Sequence, residues 1–189
     1  MLQAGYAVAV TDYEGYHAGP ESTYMTGRSM GPALMDAVRA AQRLPDAGLS
    51  KDAPVVFRGY SQGGGAAMWA GQLQPSYAPE LKLAGVAGME QDDCTLELLL
   101  NYQGKKVGDY FTRNPLGTAP WAARVTENRL GGAPIKVPVL QYHSDADEIV
   151  AFGQANTLRG QYCAQGVPLT WTVWNGLGHI TLVYRAHQL

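Results

Sequence analysis

The sequence predicts an α/β fold in which a mostly parallel sheet carries helices on both faces. Short apolar segments alternate along the chain with segments whose apolar residues recur at helical spacing. This alternation is typical of parallel sheets covered by helices. The chain has 189 residues, enough for one hydrophobic core and too few for two comfortable domains. We therefore expect a single domain over residues 1–189.

Five segments are predicted to be strands, because each is mainly apolar, too short for a helix and bounded by turn residues. They are residues 5–11, 54–58, 81–87, 138–142 and 169–174. The first reads Gly-Tyr-Ala-Val-Ala-Val-Thr, a composition that predicts a strand buried on both faces.

Three segments are predicted to be helices between these strands: residues 30–44, 63–73 and 152–164. Pro32 is expected to fit only in a first turn, and Pro45 is expected to end that helix. Pro75 is expected to end the second helix. Gly166 is a suitable C′ residue for the third.

Residues 89–136 interrupt the alternation, because this turn-rich stretch is far longer than an ordinary connection between two strands. It contains one amphipathic helix candidate, with Leu96, Leu99 and Leu100 at helical spacing. We expect the stretch to leave the sheet and form a cap above it.

The composition excludes several classes of partner. Charged residues make up only 16% of the chain and the net charge is −2, without a run of like charges. These values give no electrostatic footprint for nucleic acid or for an anionic membrane. No apolar stretch approaches the roughly 18 residues of a membrane span. We therefore expect no nucleic-acid partner and no stable membrane insertion.

The N-terminus and the cysteines bear on the cellular compartment. The first residues lack the basic and apolar regions of a signal peptide, which leaves a cytoplasmic location open. Cys94 and Cys163 are too few for a disulfide framework or a cysteine-only zinc site. One bridge and two separate thiols are both compatible with the sequence.

The strongest chemical signal is the sequence Gly59-Tyr60-Ser61-Gln62-Gly63, between a predicted strand and a predicted helix. A nucleophilic serine needs this context, because the strand-to-helix turn exposes its hydroxyl and the next helix points its N-terminus at the site. The Gln62 N–H could then donate to a developing oxyanion. The alternative is a glycine-rich turn in which Ser61 only caps the helix.

A nucleophilic serine needs a histidine base, and His179 is the best candidate. It follows the last predicted strand in a glycine-rich loop, which is where an open α/β sheet places catalytic groups. His143 ends a strand and is better explained as a structural histidine. His17 precedes the serine, and His187 is three residues from the C-terminus.

The acid that orients the histidine is expected after the strand at residues 138–142. Asp145, Asp147 and Glu148 are all near enough to the end of this strand to be considered. Asp147 lies on the turn before the next helix, where its carboxylate could reach the histidine loop. Asp145 and Glu148 are expected to be solvated or to cap that turn.

These segments together resemble the secretory lipase family, the lipase A-like branch of the α/β-hydrolases. The resemblance rests on residues 5–8, 12–15, 59–64, 76–81, 143–150 and 178–179. It implies a reduced α/β-hydrolase fold with Ser61 as nucleophile, Asp147 as acid and His179 as base. It also implies an extracellular protein, a bridge between Cys94 and Cys163, and no metal or organic cofactor.

The chain departs from the family pattern at two places. The strands and the first oxyanion-hole arm that precede residues 5–11 in the family are expected to be absent, so that residues 5–11 would pair directly with residues 54–58 unless something else fills the gap. A bare sheet edge favours self-association, and a homodimer through that edge is one hypothesis. The cap at residues 89–136 is shorter than the family's lid, which favours small soluble esters.

The function predicted from these residues is hydrolysis of carboxylic esters through a Ser-His-Asp triad and an acyl-enzyme. Two alternatives stay open. One is a cutinase-like polyester hydrolase, although Asp147 and His179 are 32 residues apart, wider than that pattern. The other is a catalytically weak or inactive truncated fragment that self-associates.

Overall fold

Four parallel strands form one sheet in the computed structural model, which describes residues 1–17, 22–89 and 106–186. Their order in the sheet is the same as their order in the chain, and every neighbouring pair is parallel. The strands are β1 (Val55–Gly59), β2 (Leu83–Gly88), β3 (Val139–Ser144) and β4 (Leu169–Trp174). The predicted α/β class with a parallel sheet is confirmed.

Six α-helices lie in the described part of the chain, and the third and fourth belong to the segment between β2 and β3. They are α1 (Gly27–Arg43), α2 (Gln62–Tyr77), α3 (Val107–Tyr110), α4 (Ala119–Glu127), α5 (Phe152–Ala164) and α6 (His179–Ala186). The bounds of α5 agree with the prediction, and Gly166 has the expected left-handed φ of 72° just beyond it.

The core is divided by the sheet into two apolar clusters. On one face, α2 and α5 cover β1 to β4, and α1 packs on the outer side of α2. On the other face, Leu182 and Ala186 of α6 pack against Tyr142 of β3. Val139 and Tyr142 of β3 belong to different clusters, as the alternation of side chains along a strand requires. Helices therefore cover both faces of the sheet.

Pro32 and Pro75 both lie inside helices. The sequence predicted that Pro32 would lie in a first turn and that Pro75 would end its helix. Helix α1 begins at Gly27, three residues earlier than predicted, which places Pro32 beyond its first turn. This early start is stabilised from outside the helix, because Asn128 Oδ1 accepts the Gly27 N–H at 2.7 Å. Pro75 lies in the last turn of α2, where the helix has few further hydrogen bonds to lose.

Residues 5–11 do not form the buried strand that their composition predicted. The chain has a short 3₁₀ turn at Leu2–Ala4 and then no regular secondary structure over residues 6–13, with Tyr6 65% and Val10 85% exposed. A strand needs a neighbour for its N–H and C=O groups, and among the described residues the sheet ends at β1. Direct pairing with residues 54–58, one of the two arrangements considered, is therefore wrong. Association of two copies through the β1 edge stays a prediction.

The segment between β2 and β3 is described only from residue 106 onwards. The helix candidate with Leu96, Leu99 and Leu100 lies outside the described residues. The later part is joined to the body of the protein by Asn128, whose Nδ2 donates to the Met25 carbonyl at 2.6 Å. In the described ranges, none of the helices has the length and apolarity needed to cross a membrane.

The close approach of α2 to the end of β2 gives a first prediction. A Cβ on Gly64 would lie 1.7 Å from the Met89 carbonyl oxygen, so Gly64→Ala forces the helix and strand apart. We expect it to lower the free energy of unfolding by about 1–3 kcal/mol. Gly160→Ala in α5, where a Cβ meets nothing within 4 Å, should raise that free energy by about 0.5–1 kcal/mol. Urea denaturation measures both, and equal effects of the two variants would contradict the packing argument.

Candidate active site

Ser61 lies on the sharp turn between β1 and α2. Its φ of 54° and ψ of −123° are unusual for a residue with a side chain, and they point its hydroxyl away from the helix that follows. The turn can close because Gly59 has no side chain, since a Cβ there would lie 1.9 Å from the Gly63 carbonyl oxygen. The sequence predicted this strand-turn-helix arrangement.

His179 is buried next to Ser61, and its Nε2 lies 3.1 Å from the Ser61 Oγ. The sequence placed it in a loop, but it is the first residue of helix α6. Its ring packs against the ring of Tyr60 at 5.3 Å between centroids, and the Tyr60 hydroxyl donates a hydrogen bond to the His179 carbonyl.

Asp147 lies on the other side of the imidazole, with its Oδ2 2.8 Å from the His179 Nδ1. Because a carboxylate only accepts, the Nδ1 carries the proton and the Nε2 is left as an acceptor for the serine hydroxyl. The second oxygen of Asp147 accepts the N–H groups of Ile149 at 3.0 Å and Val150 at 2.8 Å. The structure thus brings the three predicted side chains into one hydrogen-bonded chain.

The pKa of Asp147 reflects two opposing effects. Burial of its side chain raises the pKa, but the hydrogen bonds from His179 and from the two backbone N–H groups stabilise the ionised form more strongly. The net result is a pKa below the usual value of an aspartate. Asp147 is therefore ionised at neutral pH and can support a positive charge on the imidazole.

The other two acid candidates have a role that the sequence did not indicate. Asp145 and Glu148 were expected to be solvated or to cap their own turn, but they bind the backbone of the histidine loop. Asp145 Oδ1 accepts the Gly176 N–H at 2.8 Å, and Glu148 Oε2 accepts the His179 N–H at 2.9 Å. Their partners are 31 residues away, so no local pattern could have identified these contacts.

Of the competing histidines, His143 has its hydrogen bond elsewhere. His143 is completely buried on β3, and its Nε2 donates to the Val150 carbonyl at 2.9 Å. Burial lowers its pKa, which favours the neutral form. This agrees with its interpretation as a structural residue. His187 lies outside the described residues.

A cleft of about 440 Å³ opens beside Gln62, the residue that follows Ser61. It is lined by Asp12, Tyr13, Tyr16, His17 and Gln62. Gln62 is the first residue of α2, and helix geometry gives its N–H no acceptor within the helix. Sequence reasoning identified Gln62 but not the other four lining residues. The signal that could have found them is the concentration of two tyrosines and a histidine in one loop.

Neither a metal site nor a disulfide can be assigned from the described residues. They contain no group of three or more histidine, cysteine, aspartate or glutamate side chains that could hold a metal ion. Cys163 is exposed on α5, and Cys94 lies outside the described residues. The bridge between the two cysteines stays a prediction.

The lowered pKa of Asp147 gives a prediction for acid stability. A carboxylate with a lower pKa in the folded state stabilises the fold above its unfolded pKa, and this contribution is lost as the pH falls through the folded pKa. The free energy of unfolding of the wild type should therefore fall more steeply than that of Asp147→Asn between about pH 5 and pH 2. Urea denaturation across this range measures the difference.

The control for this measurement is Asp52→Asn, which removes an exposed carboxylate from the segment that precedes β1. It should keep the pH dependence of the wild type. Parallel curves for the wild type and Asp147→Asn would show that the three hydrogen bonds do not stabilise the ionised form.

Comparison with known proteins identifies the family. The family model described as "Secretory lipase" matches residues 1–98. Lipase 6 of Candida albicans is 48% identical over 82 residues, which are 43% of this chain and 17% of that protein. Secreted triacylglycerol lipase LIP1 of Malassezia furfur is 25% identical over 243 aligned positions, which include 95% of this chain and 49% of that protein. The chain thus spans at most about half the length of these relatives.

Solved structures with the same fold include lipase A of Candida antarctica and the rice cell wall degrading esterase LipA of Xanthomonas oryzae. The first has a TM-score of 0.73 at 20% identity, covering 85% of this chain and 52% of the lipase. The second has a TM-score of 0.61 at 15% identity, covering 89% of this chain and 64% of the esterase. Both similarities confirm the α/β-hydrolase fold. With the family model matching just over half of its residues, the chain belongs to the secretory lipase family.

Proposed function

We propose that the chain hydrolyses carboxylic esters through Ser61, His179 and Asp147. The observation that carries the proposal is the continuous hydrogen-bonded chain from the Ser61 Oγ through both imidazole nitrogens to the Asp147 carboxylate, with distances of 3.1 and 2.8 Å. A nucleophile in contact with a base that is itself held by a buried acid is the arrangement needed for acyl transfer. The names of the relatives, lipases and triacylglycerol lipases, support the same class of substrate.

In the proposed reaction, the Ser61 Oγ attacks the ester carbonyl carbon while the His179 Nε2 takes the hydroxyl proton. Asp147 holds the Nδ1–H and stabilises the imidazolium that forms. The tetrahedral intermediate collapses, and the imidazolium gives its proton to the departing alcohol. Water then attacks the acyl-enzyme by the same route in reverse, which releases the acid and restores Ser61.

The negative charge on the tetrahedral oxygen needs a donor that is already in place. The Gln62 N–H fits this role, because it belongs to the first residue of α2 and points out of the positive end of the helix. Loss of one such donor typically costs about 2.7–4 kcal/mol of transition-state stabilisation. We infer that Gln62 contributes through its backbone, so a side-chain substitution there leaves the donor in place.

The cleft beside Gln62 is proposed to bind the substrate. Its volume of about 440 Å³ lies within the range of small-molecule sites. The lining residues are aromatic or polar, and the Gln62 Nε2 donates a hydrogen bond to the Tyr16 hydroxyl at 3.4 Å. This lining suits a short acyl group or an aromatic alcohol better than a long aliphatic chain. An extracellular location is proposed from the names of the Malassezia relatives, which are called secreted.

The central test is labelling of the purified chain with a fluorophosphonate, followed by intact mass. The phosphonyl adduct on Ser61 resembles the tetrahedral intermediate, so its formation requires nucleophile, base and oxyanion donor together. We expect one adduct per chain, its loss in Ser61→Ala, and labelling slower by a factor of about 10³ or more in His179→Ala.

Ser76→Ala is the matched control, because Ser76 is an exposed serine whose hydroxyl donates to the Leu73 carbonyl within α2. It should be labelled at the wild-type rate. A folded wild-type chain that forms no adduct would overturn the proposed function, and an adduct that persists in Ser61→Ala would place the nucleophile elsewhere.

A second measurement addresses the substrate class. We expect hydrolysis of p-nitrophenyl acetate and butyrate to exceed that of p-nitrophenyl palmitate by about tenfold or more in kcat/KM, because the cleft offers little aliphatic surface. Rates should saturate with dissolved ester and show no rise when the ester begins to form droplets. Preference for palmitate, or activation at the droplet surface, would contradict this substrate assignment.

A further inference from the structure

A second set of hydrogen bonds joins the loop after β3 to the loop after β4. Three acceptors within residues 144–148 receive three backbone N–H groups within residues 176–179. They are Ser144 Oγ with Leu177 N at 3.2 Å, Asp145 Oδ1 with Gly176 N at 2.8 Å, and Glu148 Oε2 with His179 N at 2.9 Å. The acceptors lie at the end of β3 and in the loop after it, which carries Asp147, and the donors lie in the loop after β4 and at the first residue of α6, His179. The two loops are therefore held together independently of the imidazole.

We propose that Glu148 is a positioning residue for His179, whose backbone it fixes so that the imidazole reaches Ser61. This inference rests on the proposed function and adds a fourth side chain to its machinery. Glu148 acts through the His179 main chain, whereas Asp147 acts on the imidazole itself. Of these two adjacent carboxylates, one therefore fixes the backbone of His179 and the other orients its side chain.

The position of His179 at the start of α6 explains why an acceptor is needed there. The first N–H groups of a helix have no acceptor within the helix, and that of His179 is buried beside the site. Glu148 supplies the missing acceptor, and its negative charge also interacts favourably with the positive end of the helix. Without this contact, the buried His179 N–H would have no acceptor and the backbone of His179 would be less firmly positioned.

The absence of a side chain at Gly178 also favours the position of the Glu148 carboxylate beside the start of α6. A Cβ on Gly178 would lie 2.8 Å from the Glu148 Oε2 and 3.2 Å from its Oε1, closer than side-chain carbons normally approach. The residue before the histidine must therefore lack a side chain for Glu148 to occupy its position. The glycine beside His179 makes room for the carboxylate.

The main chain of His179 is held at both of its polar groups. Glu148 accepts the N–H, and the Tyr60 hydroxyl donates to the carbonyl. Tyr60 precedes the nucleophile, so this second contact ties His179 directly to the turn that carries Ser61. A displacement of about 1 Å at a reacting group can cost up to about 100-fold in rate. Both contacts therefore bear on the 3.1 Å between the His179 Nε2 and the Ser61 Oγ.

The test compares Glu148→Ala with Glu148→Gln, using hydrolysis of p-nitrophenyl acetate. The alanine variant loses the acceptor, and we expect kcat to fall by about 10- to 100-fold with KM changed by less than about twofold. The glutamine variant keeps an acceptor oxygen at the same position, and it should recover most of that loss. Glu127→Ala, which removes an exposed carboxylate of α4 paired with Arg124, is the control and should match the wild type.

A value of kcat for Glu148→Ala within about twofold of the wild type would overturn the proposal. A glutamine variant as slow as the alanine variant would also overturn it, because the effect would then come from charge and not from the hydrogen bond. Far-UV circular dichroism and the urea midpoint establish that each variant is folded.

A measurement that does not depend on activity separates this proposal from the proposed function. In the Ser61→Ala background, amide hydrogen exchange at His179 should be faster by about tenfold or more with Glu148→Ala than with Glu148→Gln, while the amides of β3 keep their rates. If the wild type forms no fluorophosphonate adduct but this difference is found, the proposed function fails and the positioning contact stands. Equal exchange rates in the two variants would overturn the positioning role, whether or not the adduct forms.

Discussion

The parallel pairing of β3 with β4 is the constraint on which the candidate site depends. The register runs from Val139 opposite Leu169 to Ser144 opposite Trp174, so both strands end at the same edge of the sheet. The pairing continues for one more bond, from the Asp145 N–H to the Trp174 carbonyl at 3.2 Å. Because the two loops leave the sheet side by side, the side chains of Asp147 and His179 come into contact although they are 32 residues apart in sequence.

Ser61 follows β1, at the opposite edge of the sheet from β4, and helix α6 connects the two edges. It packs against the sheet through Leu182 and Ala186, in the same apolar cluster as Tyr60 and Tyr142. At its C-terminal end, the Ala186 carbonyl accepts a hydrogen bond from Arg58 of β1. The helix is thus attached to β1 at its last residue and to the loop after β3 at its first, which explains how His179, which follows β4, reaches Ser61, which follows β1.

Much of this architecture could be predicted because the relevant signals are local. The bounds of α5 follow from helical spacing and from Gly166, and the Ser61 turn follows from closely spaced glycines between a strand and a helix. The predictions failed where a distant residue decides the outcome. The start of α1 depends on Asn128, which is 101 residues away from Gly27. Residues 5–11 have the composition of a buried strand, but a strand also needs a neighbour that composition cannot supply.

The contact between Gly64 and Met89 has a consequence for how this protein could be redesigned. Met89 is completely buried, and its carbonyl rests against the first turn of α2, within a few residues of Ser61. The end of β2 is therefore fixed against the helix that follows Ser61. Met89 and the start of β3 are natural junctions for exchanging the intervening stretch, since both ends are anchored in the sheet. Chimaeras joined at these two points would replace the intervening stretch while the strands that position His179 and Asp147 stay as they are.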